Sequence, residues 1–177
     1  MKKKIIFFDG DGTLWYPKKT KYKEGPWWIY KLPGGAKEHN KHLIMTPSAL
    51  STVKKLRKKG IILVILSTHP HQPRKADAII EQKIKHFKLD GLFDEIHATR
   101  DYHGSKGEFM IEILKRRKIP KSKALMVGDS YNWDYRPARN NGVDCLLVQS
   151  EYMKKHPAAK RIKNTIKKLS DIFKHLS

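Results

Sequence analysis

Four aspartates fall into two close pairs, and each pair follows a short apolar run. Asp9 and Asp11 come after residues 4–8, while Asp129 and Asp134 come after residues 124–127. Carboxylates this close disfavour joint ionisation unless a cation binds them or one of them carries a proton. Oxygen ligands without His or Cys suit a hard cation, and Mg²⁺ suits a site that also holds a phosphate. The pairs therefore predict a Mg²⁺ site, with an Asx-type turn as the alternative explanation of Asp9 and Asp11.

Groups that suit a phosphate stand at two further points of the chain. Ser67 and Thr68 follow the most apolar run, where a hydroxyl and the backbone N–H groups of the next turn can donate to phosphate oxygens. A turn or helix cap is the alternative role of Ser67. Lys106 lies in a Gly-flanked loop before a predicted helix, but it is one of thirty lysines and carries little weight alone. His69 and His71 stand beside Ser67, either as substrate contacts or as exposed loop histidines.

The segments around these residues alternate between strand and helix patterns. Apolar runs predict strands over 4–8, 61–66, 93–98, 124–127 and 145–148, and helical spacing predicts helices over 46–59, 74–87, 107–117 and 135–141. Thr46 would cap the first of these helices, with Pro47 at its first position. This alternation predicts an α/β fold, a Rossmann-like, doubly wound parallel sheet with helices on both faces. Because ligands bind beyond the carboxyl ends of such strands, we expect Asp9, Ser67 and Asp129 at one edge of the sheet.

Two segments show no single clear pattern. Residues 15–45 hold three of the four tryptophans among many lysines and, because they show no sustained period, predict a long loop that could include a hairpin. We take residues 15–47 as an inserted aromatic and Lys-rich loop and a candidate specificity flap; a small apolar core that anchors the loop is the alternative. The C-terminus fits either one helix over 162–176 or an edge strand over 165–169 followed by a helix capped at Ser170.

Composition limits the class of protein. The 177 residues carry 38 Lys and Arg against 17 Asp and Glu, a formal charge of +21. Such a charge suggests polyanionic partners, including weak nucleic-acid binding, and a solvated Lys-rich surface is the alternative. A single cysteine, Cys145, excludes an internal disulfide and a multi-Cys metal site. Because no apolar run reaches the roughly 18 residues of a membrane span and the N-terminal apolar stretch is too short for a signal peptide, we expect one cytoplasmic domain over 1–177 without membrane association.

Four motifs occur in an order that resembles a known family. Phe8–Leu14 (FDGDGTL) is similar to the first motif of the haloacid dehalogenase superfamily, which reads D-x-D-G-T. Ile65–Thr68 resembles the second motif, an apolar strand ending in Ser or Thr. Lys106 stands where the third motif has its Lys, and Val127–Ser130 with Asp134 resembles the fourth, acidic motif. The resemblance covers roughly residues 1–150.

The resemblance implies a role for each motif residue. Asp9 would attack phosphorus and form an aspartyl-phosphate, and Asp11 would protonate the leaving oxygen and then activate the hydrolytic water. It further implies a Mg²⁺ site made by the Asp9 carboxylate, the Asp11 backbone carbonyl, Asp129 and Asp134, with Ser67, Thr68 and Lys106 on the phosphate. Asp at position 11 favours hydrolysis of a phosphate ester, since carbon–halogen displacement needs neither a metal nor an acid for the leaving group.

Spacing between the motifs bears on the subtype. The intervals from Leu14 to Ser67 and from Ser67 to Lys106 are too short for the full cap domains of many family members. The chain therefore resembles the compact, capless members and is similar to their magnesium-dependent phosphatases.

The resemblance implies a Mg²⁺-dependent phosphomonoester hydrolase whose substrate is a small molecule, a phosphoprotein or a nucleic-acid end. Two alternatives stay open. The charge and the aromatic loop suggest a nucleic-acid end-processing phosphatase, and a basic nucleic-acid-binding protein without catalysis is the other.

Overall fold

Eight strands form two sheets in the computed structural model, which describes residues 2–68, 73–99 and 104–177. The strands are β1 (Ile5–Phe8), β2 (Trp15–Pro17), β3 (Leu43–Met45), β4 (Ile62–Ser67), β5 (Glu95–Ala98), β6 (Ala124–Gly128), β7 (Asp144–Val148) and β8 (Thr165–Ile166). Six of them pair in parallel in the order β5–β4–β1–β6–β7–β8. This sheet confirms the predicted α/β fold.

β1 lies at the centre of the sheet, between β4 and β6, and is buried on both faces. Ile6 and Phe8 pack into the core on one face, while Ile5 and Phe7 pack into the core on the other. None of the four side chains is exposed. Strands covered on both faces read as continuous apolar runs, which is why β1 and β4 were predictable from sequence.

Six α-helices accompany the strands in the described ranges. They are α1 (Ala36–Lys41), α2 (Ala49–Lys58), α3 (Pro73–His86), α4 (Lys106–Arg116), α5 (Arg136–Asn140) and α6 (Glu151–Lys154). α2 and α3 cover the face of Ile6 and Phe8, and α4 and α5 cover the opposite face. Within the described part of the chain, no helix combines the length and the apolar character that crossing a bilayer requires.

The predicted N-cap of α2 at Thr46 is wrong by two residues, because the structure places the N-cap at Ser48. The N–H of Thr46 donates to the Leu14 carbonyl, which ties Thr46 to the neighbouring hairpin. Ser48 then takes a left-handed conformation with φ 64°, and the helix begins at Ala49. A residue before proline avoids the helical region, so Thr46 ends an extended segment and Pro47 belongs to a turn.

Residues 15–45 contain more regular structure than the sequence pattern predicted. β2 and β3 form an antiparallel hairpin, and the chain between them forms a 3-10 helix (Pro26–Lys31) and α1. The hairpin that the sequence suggested is confirmed, and the helices between its strands were not predicted. The buried residues of α1 are His39 and Asn40, so this helix has no apolar face to detect. Trp15 is fully buried and stacks on Phe87, which lies in the connection between α3 and β5; the ring centroids are 5.6 Å apart.

The C-terminal segment continues the sheet, and the single helix over 162–176 is wrong. β8 lies at the sheet edge, where Leu147 N–H donates to the Asn164 carbonyl at 3.0 Å and Gln149 N–H to the Ile166 carbonyl at 2.9 Å. A 3-10 helix over Leu169–His175 follows. It begins one residue before the predicted cap Ser170, whose N–H donates to Ser48 Oγ at 3.3 Å.

Candidate active site

The strand order brings three of the predicted residues to one edge of the sheet. Asp9 follows β1, Ser67 ends β4 and Asp129 follows β6, and these strands are neighbours. The backbone continues the pairing past β1, since Asp9 N–H donates to the Val127 carbonyl at 2.9 Å. A methyl group on Gly10 would lie 3.2 Å from Ser67 Oγ, so the first loop passes directly over the end of β4.

Three buried carboxylates gather at this edge. Oxygens of Asp9, Asp129 and Asp134 lie within 4.8 Å of one another. Asp134 comes from a π-helical turn (Tyr131–Tyr135) that precedes α5, an element that the predicted helix over 135–141 missed. Its Oδ2 accepts hydrogen bonds from the N–H groups of Asp129 at 3.1 Å and Ser130 at 2.9 Å, so Asp134 braces the loop that carries Asp129.

Lys106 lies against the carboxylates. Its Nζ donates to Asp9 Oδ1 at 2.8 Å and to Asp134 Oδ1 at 2.5 Å, and the side chain is buried. The position is set by the start of α4, where Ser105 and Glu108 form a reciprocal capping box one residue before and two after Lys106. Burial alone would lower the pKa of Lys106, but the charges of Asp134 and Asp9 outweigh it and hold the pKa above its ordinary value.

The cluster is short of positive charge. Three carboxylates surround one ammonium group, which leaves a formal charge of −2 if all are ionised. Burial raises the pKa of Asp9 from 3.8 to about 7, with Lys106 opposing the rise and Asp134 adding to it. Burial and the nearby charge of Asp9 likewise raise the pKa of Asp129 well above its usual range. Protons or a cation must therefore accompany these carboxylates.

Asp11 has a different environment from the other three acids. Its side chain lies outside their 4.8 Å group. Oδ1 accepts from Trp15 Nε1 at 2.5 Å and from Lys83 Nζ at 2.9 Å, and Oδ2 accepts from the hydroxyl of Tyr30. Burial, followed by the charge of Asp11, raises the pKa of that tyrosine, so the hydroxyl keeps its proton and donates.

The predicted phosphate-contacting residues take separate positions. Ser67 is buried under the loop that follows β1. Thr68 is half-buried and lines the cavity that also contains Asp9. The hydroxyl oxygens of Thr68 and Thr99 are 3.3 Å apart. His69 and His71 lie outside the described residues.

A cavity of about 200 Å³ opens over the acids. It is lined by the acids Asp9, Asp11, Asp129 and Asp134 together with Gly25, Pro26, Trp27, Thr68, Ser130, Trp133 and Tyr152. Trp27 and Trp133 are 49% and 52% exposed, unusually large values for tryptophan, and they come from the 15–45 segment and the π-helical turn. The cavity thus combines the buried carboxylates of Asp9, Asp129 and Asp134 with two exposed tryptophans, Trp27 and Trp133, which we call the aromatic rim.

Sequence reasoning missed two of the residues that hold the acids. Tyr152 of α6 donates its hydroxyl to Asp129 Oδ2, and nothing in its local sequence distinguishes it. Lys83 left a detectable signal, because it stands three residues after Ile80 on the buried face of α3, where a charged residue is out of pattern.

Known proteins resemble this chain in sequence and in fold. Residues 18–148 match the family model described as haloacid dehalogenase-like hydrolase, so the match begins after Asp9 and Asp11. Glyceraldehyde 3-phosphate phosphatase of Methanothermobacter thermautotrophicus is 30% identical over 107 residues, which is 59% of this chain and 45% of that protein. The chain spans about half the length of the curated relatives it matches.

Solved structures show the same fold at low identity. A HAD phosphatase from Thermococcus onnurineus superposes with a TM-score of 0.71 at 18% identity, covering 100% of this chain and 98% of that one. A predicted phosphoglycolate phosphatase from Haemophilus somnus gives a TM-score of 0.72 at 16% identity, covering 100% and 99%.

Proposed function

Because the chain belongs to the haloacid dehalogenase-like hydrolase family, we propose that it is a Mg²⁺-dependent phosphomonoester hydrolase that works through an aspartyl-phosphate on Asp9. The observation that carries the proposal is the buried group of Asp9, Asp129 and Asp134 with Lys106 against two of its members. The group lies at the carboxyl edge of the sheet, where ligands of such folds bind.

The donor set fits a divalent cation. The group offers carboxylate oxygens without sulfur or nitrogen, which suits Mg²⁺. A charge of +2 would also balance the formal −2 of the three acids and Lys106. Asp9 and Asp129 would hold the ion together with the backbone carbonyl of Asp11. Asp134 would support them, since both its oxygens already accept hydrogen bonds from protein groups. When bound, the ion would offset the negative charge of the phosphoryl group and of the attacking carboxylate.

The chain's own residues can perform both steps of hydrolysis. Asp11 enters the first step in its protonated form: a carboxylate oxygen of Asp9 attacks phosphorus, the bond from phosphorus to the ester oxygen breaks, and that oxygen takes the proton of Asp11, which is left as a carboxylate. Asp11 then removes a proton from water, which attacks the phosphoryl group and releases inorganic phosphate and the free Asp9 carboxylate. Lys106, Ser67 and Thr68 would stabilise charge on the phosphoryl oxygens, and Thr68 already lines the cavity.

The test measures phosphate release from p-nitrophenyl phosphate with Mg²⁺ and with EDTA. We expect Mg²⁺-dependent turnover by the wild type and none by Asp9→Asn, which lacks the nucleophile. Asp90→Asn is the matched control, because Asp90 is exposed in the turn before β5, away from the cavity. A fully active Asp9→Asn protein would refute the mechanism, and an inactive wild type that still binds nucleic acid would favour the non-catalytic alternative.

The aromatic rim favours a second, narrower candidate, a phosphatase for nucleic-acid ends. Trp27 and Trp133 expose large ring faces beside the acids, and bases stack on such faces. In this candidate the 15–47 segment is the specificity flap, and the charge of +21 supports contact with the phosphate backbone. A phosphorylated oligonucleotide should then be hydrolysed faster than glycerol phosphate, with the advantage reduced by salt and by Trp27→Ala. Equal rates on the two substrates would exclude it.

A further inference from the structure

Lys83 is a buried lysine whose charge faces Asp11. The residue lies on α3 and is 1% exposed, with its Nζ 2.9 Å from Asp11 Oδ1. The same Nζ donates to the hydroxyl of Tyr30, which in turn donates to Asp11 Oδ2. The ammonium group also lies 4.6 Å from the ring centroid of Tyr30 and 5.6 Å from that of Trp15. Lys83 and Tyr30 therefore donate hydrogen bonds to both oxygens of the Asp11 carboxyl group.

Packing alone does not explain why a lysine occupies this buried position of α3. Its neighbours on the inner face of α3 are Ala76, Ile80 and Ile84, which contribute to the apolar core. Removing an ammonium and a carboxylate from water is costly, and apolar residues of similar volume often replace a buried ion pair without loss of stability. The pair is better explained by what it does to the orientation of Asp11, which lines the cavity beside Asp9.

We propose that Lys83, together with Tyr30, is a positioning residue that fixes the carboxyl group of Asp11 for proton transfer to the leaving oxygen. The inference rests on the proposed function, in which Asp11 is the acid. Because Tyr30 belongs to the 15–47 segment, that segment would help to set the acid as well as form the rim of the cavity.

Comparing hydrolysis rates for different leaving groups measures how well Asp11 donates its proton. When the phosphorus–oxygen bond breaks, the ester oxygen keeps the electron pair, and an alkoxide needs the proton of Asp11 much more than a nitrophenolate does. A misplaced Asp11 should therefore slow hydrolysis of an alkyl phosphate more than hydrolysis of p-nitrophenyl phosphate. General disruption of the protein would slow both equally.

The experiment compares kcat/KM for glycerol phosphate and p-nitrophenyl phosphate in Lys83→Met, Lys83→Arg and the wild type. We expect Lys83→Met to lower kcat/KM for the alkyl ester by a factor about tenfold or more greater than the factor for the aryl ester. This difference is smaller than the full contribution of a general acid to the rate. Lys83→Arg should recover part of that difference. Lys85→Met is the matched control, since Lys85 is exposed on the same helix. The rise in Tm on adding Mg²⁺ should stay unchanged in all variants, which separates acid positioning from metal binding.

Tyr30→Phe provides an independent variant if Lys83→Met does not fold. It removes only the hydroxyl and should show the same selective loss on the alkyl ester, whereas Tyr22→Phe, whose hydroxyl contacts Thr46, should not. Equal losses on both esters in the folded variants would overturn the role of Lys83 while leaving the proposed function intact. No turnover of either ester by the wild type would refute the proposed function and this role with it.

Discussion

Replacing Asp9 by Asn should stabilise the metal-free protein at high pH while abolishing its activity. Asp9 is buried, and burial raises its pKa from 3.8 to about 7. An acid whose pKa is raised by folding stabilises the fold in its protonated form, so this stability is complete below pH 3.8 and is lost as the pH rises through about 7. Asn resembles the protonated acid at every pH and can still accept the hydrogen bond from Lys106.

The size of the effect follows from the pKa. A rise from 3.8 to about 7 corresponds to about 4 kcal/mol, because a tenfold change in an ionisation constant is worth about 1.4 kcal/mol. Asp9→Asn should therefore exceed the wild type by up to about 4 kcal/mol in free energy of unfolding at pH 8. The two proteins should be equally stable near pH 4. Removal of the Asp9 charge also relieves Asp129, whose pKa that charge raises, and this acts in the same direction.

Urea denaturation in EDTA at pH 4, 6 and 8 measures these differences, with Asp90→Asn as the control for an exposed carboxylate. The expected result is a stability difference between Asp9→Asn and the wild type that grows with pH, while Asp90→Asn follows the wild type. A difference that is constant with pH, or an Asp9→Asn protein that is less stable at pH 8, would refute the inference that burial raises the pKa of Asp9 and that its ionised form destabilises the metal-free protein. Addition of Mg²⁺ should stabilise the wild type more than the variant.

Three further predictions concern the elements that hold the site. Gly128→Ala should weaken Mg²⁺ binding, because the added methyl would lie 2.3 Å from the Asp134 carboxyl; calorimetric titration with Mg²⁺ checks this, and unchanged affinity would contradict it. Ser105→Ala should cost about 1 kcal/mol in free energy of unfolding, since it removes the cap accepted from Glu108 N–H at the start of α4; urea denaturation that shows no loss would argue against the cap. Leu63→Ala, at a fully buried position of β4, should cost about 2–5 kcal/mol in the same assay while leaving the Mg²⁺ requirement of turnover unchanged.

The strands that position the site were readable from sequence because they are locally encoded. β1, β4 and β6 are apolar runs ended by polar or glycine residues, and parallel pairing follows from their alternation with helices. The prediction that Asp9, Ser67 and Asp129 share one edge depends only on this order. Short elements were not readable in the same way: α1 buries polar residues, and the turn that carries Asp134 is π-helical.

The sequence by itself determined the family, the parallel sheet and the residues available for chemistry, because these follow from short motifs and apolar runs and from the order of those segments along the chain. Only the tertiary structure decided which groups hold each carboxylate. Lys83 stands 72 residues from Asp11, and Tyr152 stands 23 residues from Asp129. Contacts over such separations depend on how α3, α6 and the 15–45 segment pack around the sheet. The local pattern of apolar residues specifies the buried face of each helix, and the packing of the whole chain sets what that face meets.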